Sequence, residues 1–210
     1  MTLTSVKAIS VLLLFMFPVF LIAQVRVGLG GGGYFGINDQ GINAGLQIQK
    51  DCSDFGSIRL QIGLTDKPSN LPQSSLNPDF EYVAGHISYL VLPLEYQYFI
   101  PFKTLRAGAF GGPYFAYGLN AAILKQLDDF NYEKINLDLS THGIRRFDMG
   151  IHFGVGLELE LPRFKRMFVR VNYALGFVDV DRGDISTYQE GVGILMGLMI
   201  PVKGGRGADE

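Results

Sequence analysis

Residues 146–161 read RFDMGIHFGVGLELEL. Every second side chain from Phe147 to Leu161 is apolar, and the side chains between them are polar or are glycine. Because successive side chains of a β-strand point to opposite faces, this alternation predicts a strand with one apolar and one polar face. The stretch is longer than the five or six residues usual in soluble sheets, and a tilted strand crosses a bilayer in about 9–11 residues.

Seven further segments show the same alternation, although the second and third only just reach the length of a membrane strand. An even number of antiparallel strands is the rule for single-chain bacterial barrels. We therefore predict an all-β fold, an eight-stranded antiparallel up-and-down transmembrane β-barrel. The eight segments are 24–37, 41–49, 57–65, 83–99, 105–119, 146–161, 167–177 and 191–202.

The composition agrees with a membrane barrel of one domain. Of the 210 residues 48% are hydrophobic and 18% are charged, below the roughly 25% charged residues of an average soluble domain. The alternative is a soluble β-sandwich with the apolar faces inside. The polar faces favour the barrel, because they carry glycine with scattered Arg, Glu and Gln rather than the dense Lys and Glu of a solvated surface.

The N-terminus predicts export. Residues 1–23 contain a basic Lys7, an apolar run over 8–20 and the small residue Ala23 before the expected cleavage site, the three parts of a secretory signal peptide. The alternative is an uncleaved anchor helix. The expected mature chain is a barrel over 24–202 followed by a polar tail over 203–210, located in the outer membrane of a Gram-negative cell.

Short and long connections alternate along the predicted barrel, except that the first hairpin, over 38–40, is tight although it lies on the long-loop side. Residues 50–55, 100–104 and 162–166 form short turns, whereas 66–82, 120–145 and 179–189 form longer loops. Outer-membrane barrels have short turns in the periplasm and longer loops outside the cell. The same arrangement is expected here.

The polar faces predict the contents of the lumen. An eight-stranded barrel is just wide enough for side chains to fill it, and buried charges need partners. Five arginines and four carboxylates make mutual pairing feasible, so we expect a polar plug; a gated conduit or proton path is the alternative. The predicted lumen network is Arg26, Arg59, Glu95, Arg106, Arg146, Asp148, His152, Glu158, Glu160 and Arg170.

Catalytic and cofactor motifs are sparse. His86 and Ser88 share the outward face of the fourth strand, a pair that resembles the His-x-Ser of lipid A deacylase barrels. Glu95 has the wrong phase to orient His86, and Tyr89 follows the serine where that family has asparagine. The three histidines have no metal-ligand spacing. The glycines over 28–33 lie mid-strand without the helix that a phosphate site needs.

Four segments within the predicted strands resemble segments of the PorT-like outer-membrane β-barrel proteins of Bacteroidetes. They are YLVLPL at 89–94, AG through GPY over 107–114, RFDMG with GVG over 146–156, and RVNYALG at 170–176. They follow the family's order and span most of the expected mature chain. Val91, where the family often has an acidic residue, and the polar C-terminus depart from its pattern. The resemblance implies an outer-membrane barrel without catalytic residues, and one named member takes part in protein secretion.

These observations predict a non-enzymatic outer-membrane barrel with a structural, adhesive or assembly role through its extracellular loops. The alternatives are a component of a secretion or transport machine and a lipid-directed hydrolase using Ser88 and His86. No cofactor or metal is expected. The expected partners are outer-membrane lipid, the barrel assembly machinery and an envelope protein bound by the loops; a net charge of −2 argues against nucleic acid.

Overall fold

The computed structural model describes residues 25–35, 40–69, 82–128, 131–137, 139, 145–178 and 190–202. The predicted signal peptide over 1–23 and the polar tail over 203–210 lie outside the described residues, as do parts of the longer loops. Among the described residues, no helix has the length and hydropathy needed to cross a membrane.

The described residues form nine strands and one 3-10 turn at Pro162–Phe164. The strands are β1 (Val25–Phe35), β2 (Gln40–Asp51), β3 (Gly56–Ser69), β4 (Tyr82–Phe102), β5 (Leu105–Asp128), β6 (Asn131–Leu137), β7 (Phe147–Leu161), β8 (Lys165–Gly176) and β9 (Glu190–Pro201).

Eight of these nine strands close a barrel. Each barrel strand pairs antiparallel with the next along the chain, with β5 pairing β7 across the intervening β6. The first and last strands close the ring, with Gly30 opposite Gly197. This confirms the predicted eight-stranded up-and-down barrel. The sandwich alternative is wrong, because two packed sheets would leave edges that this closed pairing does not have.

The distribution of apolar and polar side chains in the barrel is the reverse of that in a soluble protein. Large apolar side chains point outward, and Ile42 and Leu29 are 72% and 65% exposed, whereas Arg59 and Glu95 are buried inside. Two aromatic pairs lie at opposite ends of the apolar outer belt: Phe55 stacks on Tyr98, and Phe115 lies 6.5 Å from Phe147, centroid to centroid. Aromatic girdles at both interfaces are typical of membrane barrels.

The two ends of the barrel differ. At one end the strands are joined by turns over 52–55, 103–104 and 162–164, and β1 begins and β9 ends there; we call this the short-turn end. Lys103 and Arg163 adopt left-handed backbone conformations in two of these turns, with φ of 56° and 64°. The other end carries the longer connections and is called the long-loop end.

Four strands extend beyond the barrel at the long-loop end. We call residues 66–69, 82–88, 120–128 and 131–137 the rim sheet, in which β5 leaves β7 and pairs with β6, for example Ile123 with Ile135. The predicted loops over 66–82 and 120–145 are therefore partly wrong. The outward residues become polar past the apolar belt, so the alternation that marks a half-buried strand disappears although the hydrogen bonding continues.

Glycine permits close approach of the strands at several positions. A Cβ added to Gly32 would lie 1.8 Å from the carbonyl oxygen of Ile194, and one added to Gly108 would lie 2.0 Å from that of Tyr98. No side chain fits at such distances. These glycines therefore let a narrow barrel coil tightly, as glycine does at bends of curved sheets.

Candidate functional site

The middle of the lumen is held together by four charged side chains on four strands. We call Arg59, Glu95, Glu158 and Arg170 the central charge cluster. Arg59 Nη2 lies 2.5 Å from one oxygen of Glu95, and Arg170 lies 3.2 Å from Glu95 and 2.8 Å from Glu158. All four side chains are at most 3% exposed. Their positions follow from strand register, since Arg59 is directly opposite Glu95.

Neutral polar groups and rings surround this cluster. Arg59 Nη1 donates to Gln47 Oε1 at 2.8 Å, and Gln97 Nε2 donates to Glu95 Oε2 at 2.8 Å. The Phe110 ring lies under both guanidinium groups, with its centroid 5.6 Å from Arg59 and 5.2 Å from Arg170. Buried charges are tolerated when they are paired and hydrogen-bonded in this way. The cluster therefore fills the middle of the lumen with ion pairs and hydrogen bonds.

A second charged group lines the short-turn mouth. Asp51 accepts a hydrogen bond from Arg26 and lies 3.2 Å from Arg166. Arg106 Nη2 donates to the carbonyl oxygen of Asp54 at 3.0 Å. A cavity of about 650 Å³ opens among these residues. The mouth contains both signs of charge and leads toward the central charge cluster through the ion pair of Arg106 with Glu158 at 3.6 Å.

The long-loop half of the lumen contains one buried lysine. Lys67 Nζ lies 3.6 Å from Asp148 Oδ2 and between 4.9 and 5.6 Å from the ring centroids of Tyr34, Tyr89 and Tyr114. Tyr114 also donates a hydrogen bond to Asp148 at 3.0 Å. We call these five residues the lysine cage. Electron-rich ring faces attract a cation, so the cage stabilises the lysine together with its carboxylate.

An apolar cluster covers the lysine cage at the long-loop end. We define the apolar lid as the buried apolar side chains that β4, β5, β6 and the residue just after β6 contribute on the long-loop side of the tyrosines: Ile87, Ala116, Ala121, Leu137 and Leu139. Leu137 and Leu139 come from the part of the chain predicted to be a loop. The lid therefore places apolar side chains across the end of the lumen.

Most of the predicted lumen residues lie together inside the barrel, with two exceptions. Arg26, Arg59, Glu95, Arg106, Asp148, His152, Glu158 and Arg170 are buried there. Glu160 is half-buried at the short-turn mouth, 3.7 Å from Arg166. The placement of Arg146 in the lumen is wrong, because β7 begins at Phe147 and Arg146 is exposed in the preceding bend, where its carbonyl accepts from Gly118.

The sequence pattern did not reveal Lys67, Arg166 and Asp51 as lumen residues. Lys67 and Arg166 were assigned to connections, although each continues the inward phase of its strand. Extending the alternation two residues past Thr65 on β3, and starting β8 before Met167, would have placed both inside.

His86 and Ser88 lie on the outer surface of β4, as their phase predicts. Ser88 Oγ donates to Asp66 Oδ1 at 3.1 Å, and His86 Nδ1 lies 3.3 Å from Asp66 Oδ2. Glu95 points into the lumen, so Asp66 and not Glu95 is the carboxylate beside this pair. A serine nucleophile is activated by a hydrogen bond to its base, whereas the Ser88 hydroxyl lies within hydrogen-bond distance of Asp66.

The described residues contain no group of three or more His, Cys, Asp or Glu side chains able to hold a metal ion. Inside the lumen, a cavity of about 50 Å³ lies between the central charge cluster and the lysine cage. This volume has room for a few water molecules and for no organic cofactor. The interior chemistry is thus that of ion pairs and hydrogen bonds.

Solved structures of outer membrane proteins are similar to this barrel. A major outer membrane protein of Thermus thermophilus matches with a TM-score of 0.52 at 12% identity, over 86% of this chain and 99% of that chain. The N-terminal β-barrel domain of Pseudomonas aeruginosa OprF matches with a TM-score of 0.43 at 13% identity, over 85% and 98%. Ail of Yersinia pestis matches with a TM-score of 0.45 at 10% identity, over 86% of this chain and 98% of that chain. At these identities the likeness concerns the fold.

No curated protein matches the chain by sequence. A family model described as outer membrane protein beta-barrel domain matches residues 39–182, more than half of the chain. The match covers β2 to β8, which include most of the closed barrel and the whole rim sheet. The protein is located in the outer membrane, and the chain belongs to the outer membrane protein beta-barrel domain family.

Proposed function

We propose that this protein is a non-conducting, non-enzymatic barrel that holds the rim sheet at the cell surface for an adhesive or assembly partner. The observation that carries the proposal is the closure of the lumen at successive levels. The central charge cluster fills the middle, the lysine cage lies above it, and the apolar lid covers the long-loop end.

The closure opposes transport through the barrel. A hydrated ion would have to separate Arg59 from Glu95 and Arg170 from Glu158, and each separation leaves buried charge without its partner. It would also have to pass the apolar lid, where no polar group replaces its water. These barriers favour a structural role over the conduit that the sequence left as an alternative.

The rim sheet supports a display role. Its strands continue the barrel ladder, so β4, β5 and β6 are hydrogen-bonded to one another beyond the apolar belt. Asn120, Lys134 and Asn136 are exposed on this part of the chain. A hydrogen-bonded sheet presents such side chains with less loss of conformational entropy on binding than a flexible loop does.

The PorT-like affiliation is a finer part of the proposal. It rests on the four sequence motifs, of which RVNYALG at 170–176 lies within β8 and YLVLPL at 89–94 within β4. Membership in the PorT-like family would favour a role as a component of a protein secretion machine. Loss of secreted surface proteins on deletion of the gene supports that role, and unchanged secretion contradicts it.

Site-specific crosslinking in living cells tests the display role. A photo-reactive amino acid replaces Asn136, which is exposed on β6, or Val155, which faces lipid on β7. We expect an adduct with one envelope or surface protein from position 136 and none from position 155. Absence of a protein adduct at position 136, in cells where both variants fold, contradicts the proposal.

A further inference from the structure

A polar patch interrupts the outer surface where the apolar belt meets the rim sheet. Asp66, His86, Ser88, Asn120 and Lys134 line a cavity of about 180 Å³ there, together with Ala122. We call these five polar residues the outer polar patch. They come from β3, β4, β5 and β6, so the patch exists only because the rim sheet is formed.

The position of the patch follows from the order of outward residues along β3 and β4. Leu64 is opposite Leu90, and the next outward pair is Asp66 opposite Ser88. Polar outward side chains therefore follow directly on the last outward leucines of these two strands, at the long-loop border of the apolar belt. At such a border a membrane barrel passes from the hydrocarbon core to the lipid headgroups.

The chemistry of the patch is mixed. Asp66 Oδ1 accepts a hydrogen bond from the Ser88 hydroxyl at 3.1 Å, and Asp66 Oδ2 lies 3.3 Å from His86 Nδ1. These contacts fix a carboxylate, a hydroxyl and an imidazole side by side. Lys134 is exposed at the other side of the cavity, and within the described part of the chain it has no ion-pair partner. The side-chain amide of Asn120 lies on β5, between β4 and β6.

We propose that the outer polar patch binds the phosphorylated sugar headgroup of an outer-leaflet glycolipid. The Lys134 ammonium is placed to pair with a phosphate, and the Asp66, Ser88 and Asn120 side chains are suited to hydrogen-bond sugar hydroxyls. Directly below, Leu64 and Leu119 are 57% and 47% exposed and offer apolar surface to the acyl chains. An amphiphile thus fits the patch and the belt at once.

The proposal takes the long-loop end as the outer-leaflet end and is otherwise independent of the display role. Asn136 shares the outward face of β6 with Lys134, but lipid binding is measured on the purified barrel, whereas protein crosslinking is measured in cells. Failure of the crosslinking experiment and failure of lipid binding are therefore distinguishable.

Native mass spectrometry of the full barrel in detergent tests the proposal. The probes are bis-phosphorylated lipid A, the same lipid with its phosphates removed, phosphatidylethanolamine and soluble glucosamine phosphate. We expect phosphorylated lipid A to be retained at least tenfold more than each other probe. Lys134→Ala should lose most of this preference, and Asp66→Asn part of it.

Lys165→Ala is the matched control, because Lys165 is an exposed lysine at the start of β8, at the short-turn end. Equal retention by Lys134→Ala and wild type overturns the proposal, as does equal retention of lipid A with and without phosphates. Binding of glucosamine phosphate as tight as that of lipid A overturns the lipid assignment. Release of free fatty acid that Ser88→Ala abolishes overturns a binding role in favour of hydrolysis.

Discussion

The two halves of the lumen stabilise their buried charges by different kinds of contact. In the half toward the short-turn end, Arg59, Glu95, Glu158 and Arg170 are joined in a network of ion pairs. In the half toward the long-loop end, Lys67 has one carboxylate and three aromatic rings. The first half depends on ionic partners, whereas the second depends on a single pair enclosed by rings and by the apolar lid.

The barrel is most sensitive to change in the central charge cluster. Loss of one member of a buried network leaves several charges unmatched, whereas loss of a lid residue removes only packing. We therefore expect the loss of stability to decrease from the central charge cluster to the lid and then to the exposed turns, as measured by unfolding in lipid vesicles or by a local probe. Far-UV circular dichroism and the mobility shift on boiling are suitable readouts, since the chain has no tryptophan.

The largest effect is expected for Glu95→Ala. This change leaves Arg59 and Arg170 without the carboxylate that lies 2.5 Å and 3.2 Å from them. Removal of one partner from a buried ion pair costs about 3–5 kcal/mol in the free energy of unfolding. Urea titration measures this loss. Glu160→Ala is the control, because Glu160 is half-buried at the mouth and should cost about 1 kcal/mol or less. Equal losses in the two variants contradict the central role of Glu95.

A smaller loss is expected for Lys67→Met, about 3 kcal/mol, because Asp148 keeps the hydrogen bond from Tyr114. The double variant Lys67→Met with Asp148→Asn should recover at least half of that loss, since neither charge then remains buried alone. A double-mutant cycle measures the coupling. Additive losses from the two single changes would show that Lys67 and Asp148 are not a pair.

A local effect is expected for Leu137→Ala in the apolar lid. Truncation of a buried leucine costs about 2 kcal/mol or more, here in opening of the rim sheet rather than of the barrel. Trypsin cleavage after Lys134 should become about thirtyfold faster or more, while the boiling shift is unchanged. Val155→Ala on the lipid-facing side is the control. An unchanged cleavage rate contradicts the packing of the lid.

The smallest effect on stability is expected for Cys52→Ser, within about 0.5 kcal/mol, because Cys52 is exposed in the turn between β2 and β3. Labelling of the Cys52 thiol in the wild-type protein shows which side of the outer membrane the short-turn end faces. A maleimide too large to cross the outer membrane should label it in broken cells and not in intact cells. Labelling of intact cells would place the short-turn end outside.

The barrel was predictable from the sequence because its outer belt enforces strict alternation. In β7 every outward residue from Phe147 to Leu161 is apolar, and the segment predicted as a strand matches β7 apart from Arg146. The closure by eight strands followed from counting such segments. Register and inward phase then placed the central charge cluster, because these residues lie between lipid-facing ones.

The rim sheet and the lysine cage were not predictable by the same signal. Past Leu64 the outward residue is Asp66, so β3 shows no apolar alternation although it continues to Ser69. The pairing of β5 with β6 depends on hydrogen bonds between distant backbones, which side-chain periodicity does not encode. Lys67 was missed for this reason, and with it the partner of Asp148.

Paired charges and the apolar lid together close the lumen. Planar bilayer recording tests this closure most directly, with the folded state of each preparation checked by its mobility shift on boiling. We predict that the wild-type barrel gives no steady ion current above that of the bare bilayer, under either polarity of applied voltage. A steady current proportional to voltage from the folded wild-type protein would show that the lumen is open.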